Sequence, residues 1–212
     1  MYKLFFSLFL LPFLFLSCTG KENKKVPQQD FTKVLPSIPS VEIPNKSVDL
    51  SELTFDNKTS IWTLGKEHYS GYALSEYENG NLKEKFGFKD GRKQNECIHY
   101  FPDGHYKRYA NYHKGKLHGE KKKWSPGANH ILRSHLNYFL GKGHGIQKSW
   151  YATGELYKVV NLNMGKEEGI QQAFRKNGAL YANYESKNGR IFGLKKSALC
   201  FGLEDEEVKY ND

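Results

Sequence analysis

Hydrophobic side chains alternate with a period of two in five successive stretches of the C-terminal two thirds of the chain. Positions of one parity are mostly apolar and the intervening positions are mostly polar, which predicts strands with one buried face. The apolar-parity sets are Leu82/Glu84/Phe86/Phe88, Tyr106/Arg108/Ala110/Tyr112, Leu132/Ser134/Leu136/Tyr138, Leu156/Lys158/Val160/Leu162 and Leu180/Ala182/Tyr184.

Each of these stretches is followed by a pair of glycines four residues apart and then by a second alternating stretch. The pairs are Gly115/Gly119, Gly141/Gly145, Gly165/Gly169 and Gly189/Gly193, with Gly91/Asn95 as a degenerate first copy. The step between first glycines is 24 residues, apart from one step of 26, which is typical of a repeated supersecondary unit. Glycine and asparagine tolerate the positive φ of tight hairpin turns. We therefore expect an all-β protein of tandem β-hairpin repeats, stacked as an extended antiparallel meander.

The third copy contains a local insertion. The corner between its strands and those of the preceding copy spans Ser125–His130, two residues longer than the other corners. The insertion predicts a widened loop that leaves the strand parity unchanged. Insertions in repeat proteins fall in loops, often on the binding side, although drift in a surface loop explains this one equally well.

Three segments resemble the MORN-variant repeat: Tyr69–Leu74, Tyr77–Glu84 and Gly115–Gly119. The resemblance covers roughly residues 61–193. The repeats in this range are similar to those of bacterial lipoproteins grouped as a YwqK-like "antitoxin" family. It implies a MORN-like hairpin array that binds proteins or membrane surfaces, and it brings no catalytic residues. The antitoxin label rests on association and indicates binding rather than a defined function.

The N-terminus has the pattern of a secretory signal. Lys3 precedes the apolar run Leu4–Leu16, which is short for a membrane span and suits a signal peptide over residues 1–17. The run ends at Ser17-Cys18, which resembles a bacterial lipobox and implies lipidation of Cys18. An ordinary signal peptide with an incidental cysteine is the alternative. We expect a lipoprotein of the bacterial cell envelope, anchored in the outer membrane and facing the periplasm or the surface.

The rest of the chain divides by composition. Residues 18–59 contain several prolines and charged residues, which favours a flexible tether behind the lipidated cysteine. Residues 60–193 form the repeat array. Residues 194–212 leave the repeat pattern and predict a closing strand followed by the acidic tail Glu204–Glu207.

The charge is unevenly distributed. The chain has a formal net charge of +9, and the stretch Lys83–Lys123 holds 12 Lys and Arg against 5 acids. A basic, aromatic-bearing patch of Lys107, Lys121, Lys123 and Tyr109 is predicted on the polar parity. Such a patch suits an acidic protein, an anionic glycan or a lipid headgroup, although a basic face that serves only solubility is the alternative interpretation. An exported protein is not expected to meet nucleic acid, and no small-molecule substrate or cofactor is expected.

The sequence holds no Gly-x-Ser-x-Gly motif and no phosphate-binding loop, so we predict a protein that is not an enzyme. The sharpest metal-ligand candidates are Cys97 and His99, placed two apart on the polar parity, with His113 as a third ligand. A thiolate with imidazoles would suit Cu(I) or Zn²⁺. The spacing matches no established motif, so no metal site is assigned and a partly exposed strand cysteine remains the simpler interpretation.

The other histidines and cysteines give weaker indications. His118 and His144 share one repeat position and are expected to be turn residues, whereas His105, His130 and His135 show no ligand spacing. Cys97 and Cys200 are about four repeats apart, on the order of 40 Å at about 4.8 Å per strand. A disulfide needs Cα atoms within about 7 Å, so none is expected between them.

The sequence as a whole favours a lipid-anchored envelope protein that acts as a non-catalytic module binding a protein or a membrane surface. Three alternatives remain open: an immunity or antitoxin protein that neutralises a toxin, a metal-handling lipoprotein centred on Cys97, and a purely structural envelope protein.

Overall fold

The computed structural model describes residues 38–194. The predicted signal peptide, the lipidation site Cys18 and the segment 195–212 lie outside the described residues.

Strands dominate the described part of the chain, and most of them belong to one sheet. The strands are Ser47–Asp49 (β1), Leu53–Asp56 (β2), Ile61–Leu64 (β3), Glu67–His68 (β4), Gly71–Glu76 (β5), Leu82–Lys89 (β6), Arg92–Tyr100 (β7), Tyr106–His113 (β8), Lys116–Trp124 (β9), Leu132–Phe139 (β10), Lys142–Gly143 (β11), Gly145–Trp150 (β12), Leu156–Asn163 (β13), Lys166–Glu167 (β14), Gly169–Phe174 (β15), Leu180–Lys187 (β16) and Arg190–Leu194 (β17). A single 3-10 turn, Leu50–Glu52, lies between β1 and β2.

The large sheet has 14 strands in the order β1-β5-β6-β7-β8-β9-β10-β12-β13-β15-β16-β17, with β11 paired to β10 and β14 to β13. From β5 onward each strand pairs antiparallel with its neighbour, whereas β1 pairs parallel with β5. The expected all-β hairpin meander is confirmed. It is an open sheet, and β2, β3 and β4 form a separate small one.

Five two-residue turns close the hairpins, and both residues of every turn have positive φ. The pairs are Asp90/Gly91, Lys114/Gly115, Leu140/Gly141, Met164/Gly165 and Asn188/Gly189. A turn of this kind matches the right-handed twist of the strands that it joins, which explains why glycine recurs at its second position. Leu140 and Met164 adopt the left-handed conformation despite their side chains, at φ 46° and 50°.

The turn glycines also join each hairpin to the one before it. The N–H of Gly115 donates to the carbonyl of Lys93 at 2.8 Å, and Gly141 donates to Leu117 at 2.7 Å. Gly91 and Gly165 make the equivalent bond. One repeat position therefore serves both the turn and the stacking of hairpins.

One end of the sheet is covered by the preceding segment. We call the face that carries Ala73, Phe86, Cys97 and Ala110 the core-side face, and the opposite face the outer face. These four residues stand opposite one another across β5 to β8. The buried cluster on the core-side face comprises Leu53, Tyr69, Ala73, Phe86, Phe88 and Cys97, with Val48, Leu50, Trp62, Leu64 and Tyr112 packed against it.

This cover includes residues that the sequence analysis assigned to the tether. Residues 47–56 form β1, the 3-10 turn and β2, and Leu53 is buried in the cluster. The ring of Trp62 lies 5.5 Å from that of Phe88. On the outer face, Ile43 is buried against Gly87. In β10, by contrast, all 8 residues are partly exposed, so no second layer built from residues 38–194 covers either face there.

Side-chain amides replace part of the strand pairing in the uncovered region. The Gln147 amide accepts from the backbone N–H of Asn137 at 3.0 Å and donates to its carbonyl at 2.9 Å. Gln171 binds the backbone of Asn161 in the same way, at 3.0 and 2.9 Å. Gly145 and Gly169, both with positive φ, interrupt the strands at these points. The amides thus satisfy backbone groups that the interruption would leave unpaired.

The widened corner is present as expected. Its closing hydrogen bond runs from the N–H of Ser125 to the carbonyl of Ile131 at 2.9 Å. The corresponding bond in the preceding corner joins Phe101 to His105 at 2.8 Å. The two extra residues are therefore absorbed within the loop, and β9 and β10 keep their antiparallel pairing.

Replacing Met164 with Asn should raise the free energy of unfolding by about 0.5 kcal/mol, because Asn adopts the left-handed conformation at lower cost and Met164 is an exposed side chain. Urea denaturation of both proteins measures the change. The reverse substitution Asn188→Met, at the same position of the last turn, should lower stability by a similar amount. An unchanged midpoint in both variants would show that turn strain does not limit stability.

Candidate functional site: an uncovered basic face and a corner histidine cluster

A row of polar and basic residues crosses the core-side face beyond the covered end. Arg108 on β8 stands directly opposite Lys123 on β9. Ser134 and Ser149 continue the row on β10 and β12, and Lys158 follows on β13. The alternation of each strand places all five side chains on the same face.

A fourth cation lies beside this row. Lys121 stands opposite Ala110, so it shares the core-side face with Lys123. Its Nζ lies 6.0 Å from the ring centroid of Tyr138. We call Arg108, Lys121, Lys123 and Lys158 the basic row.

Among the described residues, the basic row has no carboxylate beside it on its own face. From β8 to β13 the core-side positions carry no Asp or Glu. Within residues 38–194 none of the four cations forms an ion pair. Directly opposed like charges destabilise a sheet, so the pair Arg108 and Lys123 is a local cost to folding.

The outer face of the same strands is arranged differently. Glu120 accepts from Lys122 at 2.7 Å and contacts His135 at 2.8 Å. The hydrogen bond from Lys122 is the main reason that the pKa of Glu120 lies below its ordinary value. The Tyr109 hydroxyl donates to Glu96 at 3.0 Å. Two carboxylates of the outer face, Glu96 and Glu120, thus have partners within the sheet.

This arrangement corrects the predicted basic patch. Lys121 and Lys123 lie on the core-side face, but Tyr109 stands opposite Lys122 on the outer face. Lys107 occupies a bulge at the start of β8, with its Nζ 5.9 Å from the Phe101 ring. The prediction of one patch was therefore wrong. The bulge and the alternation separate its members, and Arg108 joins the two lysines instead.

The proposed pair Cys97 and His99 also lies on the core-side face rather than on the polar parity. Cys97 is 4% exposed and stands between Phe86 and Ala110. Burial raises the pKa of its thiol to about 11, which opposes metal-binding thiolate formation. The expectation of a partly exposed cysteine was wrong, because the segment before β5 covers this part of the face.

The imidazole of His99 already contacts a carboxylate on its own face. Its Nδ1 lies 3.0 Å from a carboxylate oxygen of Glu84, and its ring packs edge-on to Phe86. Burial lowers the pKa of His99. His113, the suggested third ligand, stands opposite Lys116 at the far end of β8. No ligand set forms around Cys97 among the described residues.

His118 and His144 lie just before the second glycine of their copies. His144 is buried, and its Nδ1 accepts from the N–H of Met164 at 3.3 Å, in the turn of the next hairpin. Gln94, at the same position of the first copy, accepts from the N–H of Lys114 at 3.0 Å. Burial lowers the pKa of His118, and its ring packs edge-on to Phe139. Gln94 and His144 at this position therefore link adjacent turns.

A group of potential metal ligands lies at two neighbouring corners. It comprises Asp103 and His105 from the corner between β7 and β8, and His130 from the widened corner. His130 Nε2 lies 2.8 Å from one Asp103 oxygen, and His105 Nδ1 lies 3.4 Å from the other. The two imidazoles stack with their centroids 4.1 Å apart. A hydrogen bond from the His105 N–H is the main reason that the pKa of Asp103 is lowered.

Ligand spacing along the sequence does not predict this cluster. Asp103 and His130 are 27 residues apart, close to one repeat, so the stacking of consecutive corners brings them together. The sequence feature that could have predicted it is the repeat register, which aligns the two corners, together with the insertion that carries His130.

Comparisons of the chain with family models, curated proteins and solved structures found no match. Within residues 38–194 no helix has the length and apolar character needed to cross a membrane.

We expect iodoacetamide to alkylate Cys97 of the folded protein at least a hundredfold more slowly than Cys97 of the urea-unfolded chain at pH 8. Burial blocks access, and a pKa of about 11 leaves little thiolate. Peptide mass spectrometry separates Cys97 from Cys200, which serves as the internal comparison because the proposed lipid would block the Cys18 thiol. Equal rates in the folded and unfolded protein would show that the cover over β5 to β7 opens readily.

Proposed function

We propose that this chain is a non-catalytic binding module that takes an acidic segment of a partner protein on its uncovered core-side face, with a lipid on Cys18 holding it at the envelope membrane. The observation that carries this proposal is the opposition of Arg108 and Lys123 on the part of the core-side face, from β8 to β13, that holds no carboxylate. An acidic partner would remove the repulsion and fill the uncovered surface.

Two shallow grooves beside the basic row indicate the form of the partner. One is lined by Lys123, Trp124, Ser134, Ser149 and Trp150, among others. The next is lined by Tyr157, Lys158, Ala173, Ala182 and Tyr184, among others. Tyr157 lines both, so they adjoin. Apolar and aromatic walls next to cations suit a peptide that carries both acidic and hydrophobic side chains.

The spacing of the cations sets the spacing of acids in that peptide. Lys123 on β9 and Lys158 on β13 are three strand steps apart. At about 4.8 Å per strand this is roughly 14 Å, or about four residues of an extended chain. Serine hydroxyls lie between the two cations, at Ser134 and Ser149. A single extended segment crossing the strands fits this row better than a planar lipid surface does.

The resemblance of the repeats to MORN-variant lipoproteins supports the same assignment, and we propose membership of that family. An immunity role, in which the acidic partner is a toxin, is a special case of this proposal, because the toxin would bind through the same basic row. The sequence offers no catalytic set that would favour an enzyme.

Replacing Lys123 with Glu should weaken partner binding while raising the free energy of unfolding by about 0.5 kcal/mol, because an opposite-charge pair with Arg108 replaces a like-charge pair. A fluorescent peptide with Glu at every fourth position and aromatic residues between provides the binding probe. Anisotropy titration should show at least tenfold weaker binding, and urea denaturation should show the gain in stability.

Lys148→Glu is the matched control, because Lys148 lies opposite His135 and Val159 on the outer face. It should leave peptide binding unchanged apart from a small non-specific charge effect. A photo-crosslinking amino acid at Ser134, used in cells, should give one discrete protein adduct that Lys123→Glu removes. Equal losses with both reversals, or adducts to lipid alone, would refute a protein site on the core-side face.

Cys18→Ala should abolish incorporation of a radiolabelled fatty acid and release the protein from the membrane fraction, since the proposed lipid attaches to that thiol. Cys200→Ala is the control and should change neither. Continued membrane attachment of the Cys18→Ala protein would exclude the lipid anchor without affecting the assignment of the binding face.

A further inference from the structure

We propose that Asp103, His105 and His130 bind a divalent transition-metal ion of the zinc type, with solvent completing its coordination. The site is separate from the basic row and from Cys97. It depends on the widened corner, which is the one local insertion of the array.

The corners bring the three side chains together by different means. Asp103 accepts a hydrogen bond from the N–H of His105 at 3.1 Å, which folds the first corner tightly. Asn79 and Asn177 make the same bond to Asn81 and Ala179 at equivalent corners. His130 comes from the inserted loop and has a left-handed backbone, at φ 38°. A non-glycine residue in this conformation is held at a cost, which is typical of positions with a specific task.

The ligand atoms lie close together. One ligand atom from each residue lies within 4.8 Å of the other two. A tetrahedral zinc site needs metal–ligand distances of about 2.0–2.2 Å and therefore ligand–ligand distances of about 3.3 Å. His130 Nε2 lies 2.8 Å from Asp103 Oδ2 and His105 Nδ1 lies 3.4 Å from Asp103 Oδ1, so the two imidazoles contact different oxygens of one carboxylate. Small side-chain rotations would bring one atom of each residue to the spacing that an ion needs.

The different exposure of the two histidine side chains also suits the binding of an ion. The His130 side chain is 11% exposed and packs against the Phe101 ring, so it is held in place. Its Nδ1 is buried without a hydrogen-bond partner among the described residues, so Nε2 is the polar atom that the ring presents to Asp103. The His105 side chain is 64% exposed and can rotate to complete the set.

The donor set indicates the class of metal. Two imidazoles and one carboxylate, without a thiolate, favour borderline divalent ions such as Zn²⁺ over Cu(I), Ca²⁺ or Mg²⁺. Three protein ligands leave a position for water or for an outside ligand.

Zinc titration of the full chain, purified in detergent without a polyhistidine tag, tests the site. Calorimetry should show one Zn²⁺ per chain, and substitution with Co²⁺ should give the visible absorption of a four-coordinate site. Asp103→Asn preserves the turn, as Asn79 and Asn177 show, and His105→Asn introduces the residue found at the same position in Asn81. Each should weaken zinc binding at least tenfold.

His68→Asn, an exposed histidine on β4, is the control and should leave affinity and stoichiometry unchanged. Circular dichroism confirms that the variants fold. Binding that survives Asp103→Asn combined with His105→Asn, or a stoichiometry well below one, would overturn the proposal and leave the His130–Asp103 contact as a structural tie between corners.

Discussion

The left-handed residue pair at each hairpin turn is the constraint on which the sheet depends. Both residues of all five turns have positive φ, which fixes the register of the strands that they join. A slip of one residue would move every side chain to the opposite face and would expose Phe86 and Phe88. The turn glycine also donates to the preceding hairpin, as Gly115 does to Lys93. Register within a hairpin and stacking between hairpins therefore come from the same repeat position.

An array fixed in this way does not need one continuous core. The segment before β5 supplies a core at one end, where Phe88 is fully buried. Farther along, hydrogen bonds hold the sheet where a second layer is missing. The amides of Gln147 and Gln171 satisfy the backbones of Asn137 and Asn161 there. One face thus changes from core to solvent along the sheet, and its later positions are free to carry charge.

This change explains which features the sequence could predict. The period, the hairpins and the widened corner follow from local turn chemistry, because the glycines and other turn residues can be read directly from the sequence. Local turn chemistry does not determine which face of the sheet is buried. Cys97 and Ile98 are adjacent and point to opposite faces, yet both are buried, because different segments cover the two faces. Residue type places Lys121 and Lys123 on the polar parity, but strand pairing shows that they share a face with Phe86. The corner cluster was missed because its members meet across the repeat rather than along a strand.

The charges of the two faces can be compared because the same strands carry both. On the outer face Glu120 contacts both Lys122 and His135, so this chain does place an acid beside a lysine there. On the core-side face it places none beside Arg108 and Lys123, which leaves their repulsion uncompensated in the described chain. The corner cluster reinforces the asymmetry, because His105 precedes Arg108 by only three residues, on the order of 10 Å along an extended strand. A bound divalent ion there would add positive charge at the same end of the strands and strengthen the attraction for an acidic segment.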